Sequence, residues 1–240
     1  MHAKRATVGA GAAEPHVPRP LRGGAGRQAR RAISLAGALV AAAQLPDLVW
    51  PTFVLLGWER LAVAPRDTAF TPLAFTHYPW SHSLAMVAAW AVAAGLAYRA
   101  RTRRLDAAVA VGVLVLSHWL LDFVTHRPDL PLYPGGPLLG LGLWRSVPAT
   151  LAVELALCIG AGALALPTVL RPDRVGRGAL AGFLGILLFI NVANLLGPPP
   201  PSPRAVAWSA LGLWLLVPWA AWLDRRSRCA IDESRPGRHT

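Results

Sequence analysis

Lysine is nearly missing from this chain. Lys4 is the only one, and arginine supplies the rest of 24 basic side chains, against 12 acidic ones, for a formal charge of +12. Charge of either sign is scarce: 15% of 240 residues, against 54% hydrophobic, with a mean hydropathy of +0.42. That balance excludes an ordinary soluble domain and points to a membrane protein. Cysteine is scarce too. Cys158 lies in an apolar segment and Cys229 in a polar one, so there is no disulfide framework and no CxxC. No internal repeat is visible, nor are paired broken helices, which counts against an inverted-repeat permease.

What is present is apolar sequence in blocks. Residues 1–31 are polar, rich in Gly, Ala and Pro, and basic, and read as a disordered tail. Six apolar segments follow at about 32–56, 82–98, 105–125, 147–166, 179–197 and 205–223, each near the ~17–25 residues that cross a bilayer as a helix. Backbone groups in lipid must be satisfied internally, so the expectation is an all-α polytopic transmembrane bundle over 32–223, with about six spans. A basic C-terminal tail, 224–240, closes the chain. "RRAISLAGALVAAAQ" has the look of a Tat or Sec signal, but apolar character resumes at once with "LPDLVWPTFVLLGW", which favours a retained span. "GPPPPSPR" (197–204) reads as a short stiff turn.

Arginine placement sets the orientation. Both tails and the loops around 99–104 and 171–177 are arginine-rich, whereas the alternate loops carry only Arg60 and Arg66, Arg127 and Arg145, and Arg204. The positive-inside rule then places both termini in the cytoplasm. Trp50, Trp58, Trp80, Trp144 and Trp222 sit near predicted helix ends, where an interfacial belt is expected. Specific nucleic-acid binding by the tail is not expected, because it lacks interleaved aromatics. The expected partner is the lipid bilayer; nothing in the sequence speaks to oligomeric state.

Ionisable groups inside apolar segments are costly and mark functional sites. Asp47, His118, Asp122 and Glu154 lie within them, with His77, His82 and His126 at the outer edge. With the orientation above, all seven fall in the outer half of the bilayer or at its rim. His118 and Asp122, in "SHWLLDFVTH", are four apart and share a helix face, so they can chelate one ion. His126 is about 12 Å farther up a straight helix and joins them only if the helix unwinds. Imidazole with carboxylate suits zinc, manganese or iron. In "HYPWSHS", Ser81 is the expected helix N-cap beside His77 and His82.

Plainer readings stand beside these. His118 and Asp122 can be an interhelical hydrogen-bonded pair. Asp47, after Pro46, can relieve a kink. Glu154 can be a buried neutral acid or pair with Arg145. His77, His82 and His126 can be solvated or interfacial. Glu59, Arg60 and Asp67 read as ordinary loop charges, and Asp129 as a turn residue.

"LPDL", then "HYPWSHSL", then "SHWLLDFVTH" together resemble the bacterial inner-membrane proteins described as membrane-bound metal-dependent hydrolases, the YdjM-like family. That family carries an aspartate after "LP", an "HRGxTHS"-like motif and an "HxLLDxxT" motif. The resemblance covers roughly residues 40–130 and implies Asp47, His77, His82, His118 and Asp122 as metal ligands. Here Tyr78-Pro79 replaces the family's Arg-Gly, and Ser81 its threonine. The resemblance names no substrate; the function expected from the site is hydrolysis of an ester or phosphoester, lipid-linked or headgroup-borne, by a divalent ion (zinc or manganese), with Glu154 or His126 shuttling protons. The alternatives are an ion- or proton-coupled permease and a non-catalytic membrane partner.

Overall fold

The computed structural model describes residues 34–169 and 174–233. The predicted basic tail, 1–31, lies outside the described residues, as does 234–240. The described chain is mostly helical, and each of the six predicted apolar segments carries helix.

The first segment folds as two helices, α1 (Leu35–Ala43) and α2 (Leu45–Leu55), inclined at 57°. "QLPDL" explains the break. Pro46 has no N–H to donate to the preceding turn, and its ring disfavours helical backbone in the residue before it. Gln44 takes up the irregularity at φ −108°, ψ 8°. The ladder restarts where the Leu48 N–H donates to the Gln44 carbonyl at 2.8 Å. Asp47 thereby falls in the first turn of α2.

Gly57, at φ 77°, turns the chain out of α2. An antiparallel hairpin follows: β1 (Arg60–Val63) and β2 (Leu73–His77), with Leu61 opposite Phe75 and an irregularity of register at Arg60/Leu61. A single helical turn, α3 (Pro79–His82), leads into α4 (Leu84–Thr102). The cap of α4 is Ser83, whose Oγ accepts from the Met86 N–H at 3.4 Å. This corrects the expectation for Ser81, whose hydroxyl is engaged elsewhere.

α4 and α5 (Leu105–Thr125) form the most extensive helix pair. Arg103 closes the connection in left-handed conformation, φ 58°, its N–H donating to the Arg99 carbonyl at 2.7 Å. Small residues let the backbones approach. A Cβ at Gly95 would lie 3.1 Å from the Ala108 carbonyl oxygen, and one at Gly112 would lie 3.4 Å from that of Ala91. Val87, Ala91, Ala108, Val111 and Val115 are buried along this seam.

Beyond α5 come a short ladder, β3 (Leu130–Pro131) with β4 (Leu138–Leu139), and a 3₁₀ turn at Leu143–Arg145. Then follow α6 (Val147–Val169), α7 (Arg174–Leu196) and α8 (Pro203–Ala210). A 3₁₀ stretch joins α8 to α9 (Leu216–Glu233), so the last helix continues past the predicted end of its apolar segment. By length and apolarity, Leu105–Thr125, Val175–Leu196 and Pro203–Arg226 can each cross a bilayer, and α1 with α2 makes a fourth if the bent pair is one span. α6 and α7 turn Leu155, Ile159, Leu188 and Phe189 outward, as lipid-facing helices do. Of the tryptophans expected in a belt, Trp58, Trp80 and Trp222 are exposed. Trp50 is instead buried against Phe75, ring centroids 5.6 Å apart, and Trp144 packs on His126.

Replacing Gly95 with leucine forces the α4–α5 backbones apart. The expected result is a loss of about 1–3 kcal/mol, read as a lower melting temperature of the detergent-purified protein. An unchanged melt would contradict the close seam.

Candidate metal centre

Donor atoms of Asp47, His82 and His118 all lie within 4.8 Å of one another, the only such group of three among the described residues. Asp122 joins them. His82 Nε2 is 3.4 Å from Asp47 Oδ1 and 3.8 Å from Asp122 Oδ2; His118 Nε2 is 3.3 Å from Asp122 Oδ2 and 3.8 Å from Asp47 Oδ2. Three elements deliver these groups: the first turn of α2, the α3 turn, and one face of α5. The two imidazoles are 5% and 8% exposed and Asp122 16%, whereas Asp47 is 38% exposed, so the cluster opens on its side.

The break between α1 and α2 also orients His118. Near Pro46 the Ala43 carbonyl is free to face sideways, and it accepts a hydrogen bond from His118 Nδ1 at 2.8 Å. With the proton on Nδ1, Nε2 carries the lone pair. His118 Nε2 and Asp122 Oδ2 are both buried, face each other, and have no hydrogen-bond partner. Orphaned buried atoms of this kind are rare. Two imidazole nitrogens and two carboxylates converging on one point fit a divalent cation of the zinc or manganese type.

His82 is held differently. Its Nδ1 is 2.6 Å from Ser81 Oγ, and Ser81 Oγ donates to Glu59 Oε2 at 2.6 Å. Glu59 Oε1 accepts from the backbone N–H groups of Trp80 and Ser81, each at 2.8 Å. Glu59 is 1% exposed, which corrects its reading as an ordinary loop charge. Burial pushes its pKa above the ordinary carboxylate value, against the opposing pull of these hydrogen bonds and of His82.

His126 is where helix α5 ends. It is the C-cap, with extended backbone at φ −66°, ψ 147°, so the helix does stop short of a third stacked ligand. The ring is buried rather than solvated. It lies 4.3 Å from the Trp144 ring and pairs through Nδ1 with Asp129 Oδ1 at 3.0 Å. The Tyr78 hydroxyl donates to the same oxygen at 3.0 Å. Burial and the neighbouring Asp129 charge raise the Tyr78 pKa, so the phenol keeps its proton. The loop after β4 seals this corner: Leu141 and Gly142 donate to the Phe123 and His126 carbonyls at 2.8 and 2.7 Å. Gly140, at φ 154°, lies so close to the backbone of His126 and Arg127 that a Cβ there would overlap their carbonyls.

Two expected residues stay outside the cluster. His77 is exposed at the end of β2, opposite Arg60, and Thr76 beside it is exposed too. Glu154, on α6, is hydrogen-bonded to Asn191 of α7, not to Arg145. Asp67 is no free loop charge: it pairs with Arg127, tying the β1–β2 connection to the segment after α5.

Asp129 gives this corner a pH signature. Burial opposes its charge, but the hydrogen bond and charge of His126 outweigh that, with Arg127 and Tyr78 adding, and its pKa falls below the ordinary value. A depressed carboxylate contributes stability above its unfolded pKa, near 4, and loses it as pH falls through the folded value. Asp129→Asn should therefore cost about 1–3 kcal/mol at pH 7. The gap from wild type should close below about pH 4; melting curves across pH 3–7 measure it, and a pH-independent gap would refute the assignment.

The family described as "YdjM inner membrane protein" matches residues 5–197, which takes in the whole cluster. No curated protein and no solved structure matches the chain. With "LPDL", "HYPWSHSL" and "SHWLLDFVTH" converging in space and the family match spanning most of its length, this chain belongs to the YdjM inner membrane protein family.

Proposed function

We propose that this inner-membrane protein is a metal-dependent hydrolase whose site faces outward from a bundle of six spans with both termini in the cytoplasm. Asp47, His82, His118 and Asp122 are the ligands. The observation that carries the reading is the facing pair of buried, unpartnered atoms, His118 Nε2 and Asp122 Oδ2. Six spans are supported by a helix at each apolar segment: three helices are long and apolar enough by themselves, and the bent α1–α2 pair, α4 and α6 would supply the other three.

A divalent ion bound there supplies Lewis-acid polarisation and lowers the pKa of a water toward neutrality. The chain's own groups do the rest. His126 donates through Nδ1 to Asp129, which leaves Nε2 as the atom that takes and returns a proton. Trp144, Phe75 and Tyr78 surround that ring and restrict water. Asp47 lines the open side, where an ester or phosphoester of a lipid headgroup or lipid-linked molecule enters at bilayer depth. Glu154 has no part in this scheme, since it bonds to Asn191.

Elemental analysis of the purified protein should find near-stoichiometric zinc or manganese in wild type. Loss of second-sphere groups weakens metal about 10–100-fold, and loss of a ligand more. His118→Ala and Asp122→Ala should therefore come out metal-poor, and neither should hydrolyse chromogenic esters or phosphoesters. Metal-free wild type, or His118→Ala with full metal, would overturn the proposal.

A further inference from the structure

We infer that Glu59 is a positioning residue for the metal centre, acting through the Ser81 hydroxyl to hold His82 in the one tautomer that can bind a cation. This rests on the metal reading above and extends it to a residue outside the ligand set.

Proton accounting carries the argument. Ser81 Oγ has one proton and lies 2.6 Å from both Glu59 Oε2 and His82 Nδ1. Glu59 Oε1 accepts from two backbone N–H groups, Trp80 and Ser81, which can only donate and which favour the ionised, acceptor-only carboxylate against its burial. The Ser81 proton therefore goes to Glu59. Ser81 then offers His82 only lone pairs, so the imidazole proton must sit on Nδ1. Nε2 is left unprotonated, 3.4 Å from Asp47 and 3.8 Å from Asp122. His118 reaches the same tautomer by a separate route, the Ala43 carbonyl. Both imidazoles thus present Nε2 to the same point.

The hairpin makes Glu59 available. Its N–H donates to the Phe53 carbonyl at the end of α2, at 3.2 Å, and the strand irregularity at Arg60/Leu61 directly follows it. Such irregularities re-aim a side chain. Here the carboxylate is turned inward while Arg60 stays exposed.

Glu59→Gln reverses the wire at nearly constant shape. The amide oxygen keeps the two backbone bonds, and the amide NH₂ now donates to Ser81 Oγ. Ser81 turns its proton to His82 Nδ1, and the ring shifts to the Nε2–H form, which cannot ligate. In metal-free protein, ¹⁵N NMR of the imidazoles should show His82 as Nδ1–H in wild type and Nε2–H in Glu59→Gln. Zinc affinity, by chelator competition, should fall about 10–100-fold in Glu59→Gln and in Ser81→Ala, and stay within about threefold in Ser81→Thr. Ser81→Ala leaves both backbone bonds of Glu59 in place, so it tests the relay even if Glu59→Gln misfolds. Wild-type affinity in Ser81→Ala, or an unchanged His82 tautomer in folded Glu59→Gln, would overturn the inference. If wild type binds no zinc but the tautomer shift is seen, the relay stands and the metal reading fails.

Discussion

The break at Gln44–Pro46 is the constraint on which the rest of the centre depends. A continuous helix would spend the Ala43 carbonyl on its own ladder and place Asp47 in mid-helix. Proline removes one donor and tilts the following helix by 57°. One event in the backbone thus creates the acceptor for His118 and brings Asp47 to the front of α2. The second half of the broken helix is braced from outside, by Trp214 Nε1 donating to the Leu48 carbonyl at 3.0 Å. The lost helical hydrogen bonding is offset by contacts that no straight helix could make.

Around that break the molecule assembles a charge balance. Two carboxylates, Asp47 and Asp122, face two imidazoles; His118 donates through Nδ1 to the Ala43 carbonyl, and His82, in the tautomer inferred above, donates to Ser81. With both Nε2 atoms unprotonated, four lone-pair donors would converge on one point. Buried groups in such an array repel one another unless a cation lies between them. Farther out, Tyr78, His126 and Asp129 form a second polar knot that is internally satisfied, hydroxyl to carboxylate and imidazole to carboxylate. The two differ in satisfaction: the knot holds its His126 ring by paired groups, while the cluster keeps atoms without a hydrogen bond.

Much of the centre was legible in the sequence because membrane segments leave so few polar residues to consider. His118 and Asp122 declare themselves by i, i+4 spacing, and Asp47 and His82 by motif and depth. Glu59 was not legible. It sits in a segment that reads as an ordinary loop, and only the fold of the 60–77 hairpin, whose strands are four and five residues long, turns it inward. Tyr78 was hidden for the same reason, and Asp129 acquires its meaning from the unwinding at His126. His77 stands five residues from His82 in a histidine-rich motif, but it ends the hairpin strand opposite Arg60, where the chain is exposed. Glu154 lies at the right depth on a helix facing another neighbour. Depth follows from hydropathy and charge; azimuth around a helix depends on packing that one sequence does not display.

Three of the four donors or their immediate supports ride on a single stretch, from the α3 turn through the α4–α5 pair, whose seam is set by Gly95 and Gly112. Asp47 alone comes from the broken first helix. A cation held by all four would therefore be a removable cross-link between two parts of the chain, added to the His118–Ala43 hydrogen bond that already joins them. Its binding free energy would go into docking α2 against that pair, so on the proposed reading the firmness of the docking would rise and fall with free metal concentration. The first helix, and not the helix that carries the motif, would then be the part of the protein that responds to the ion.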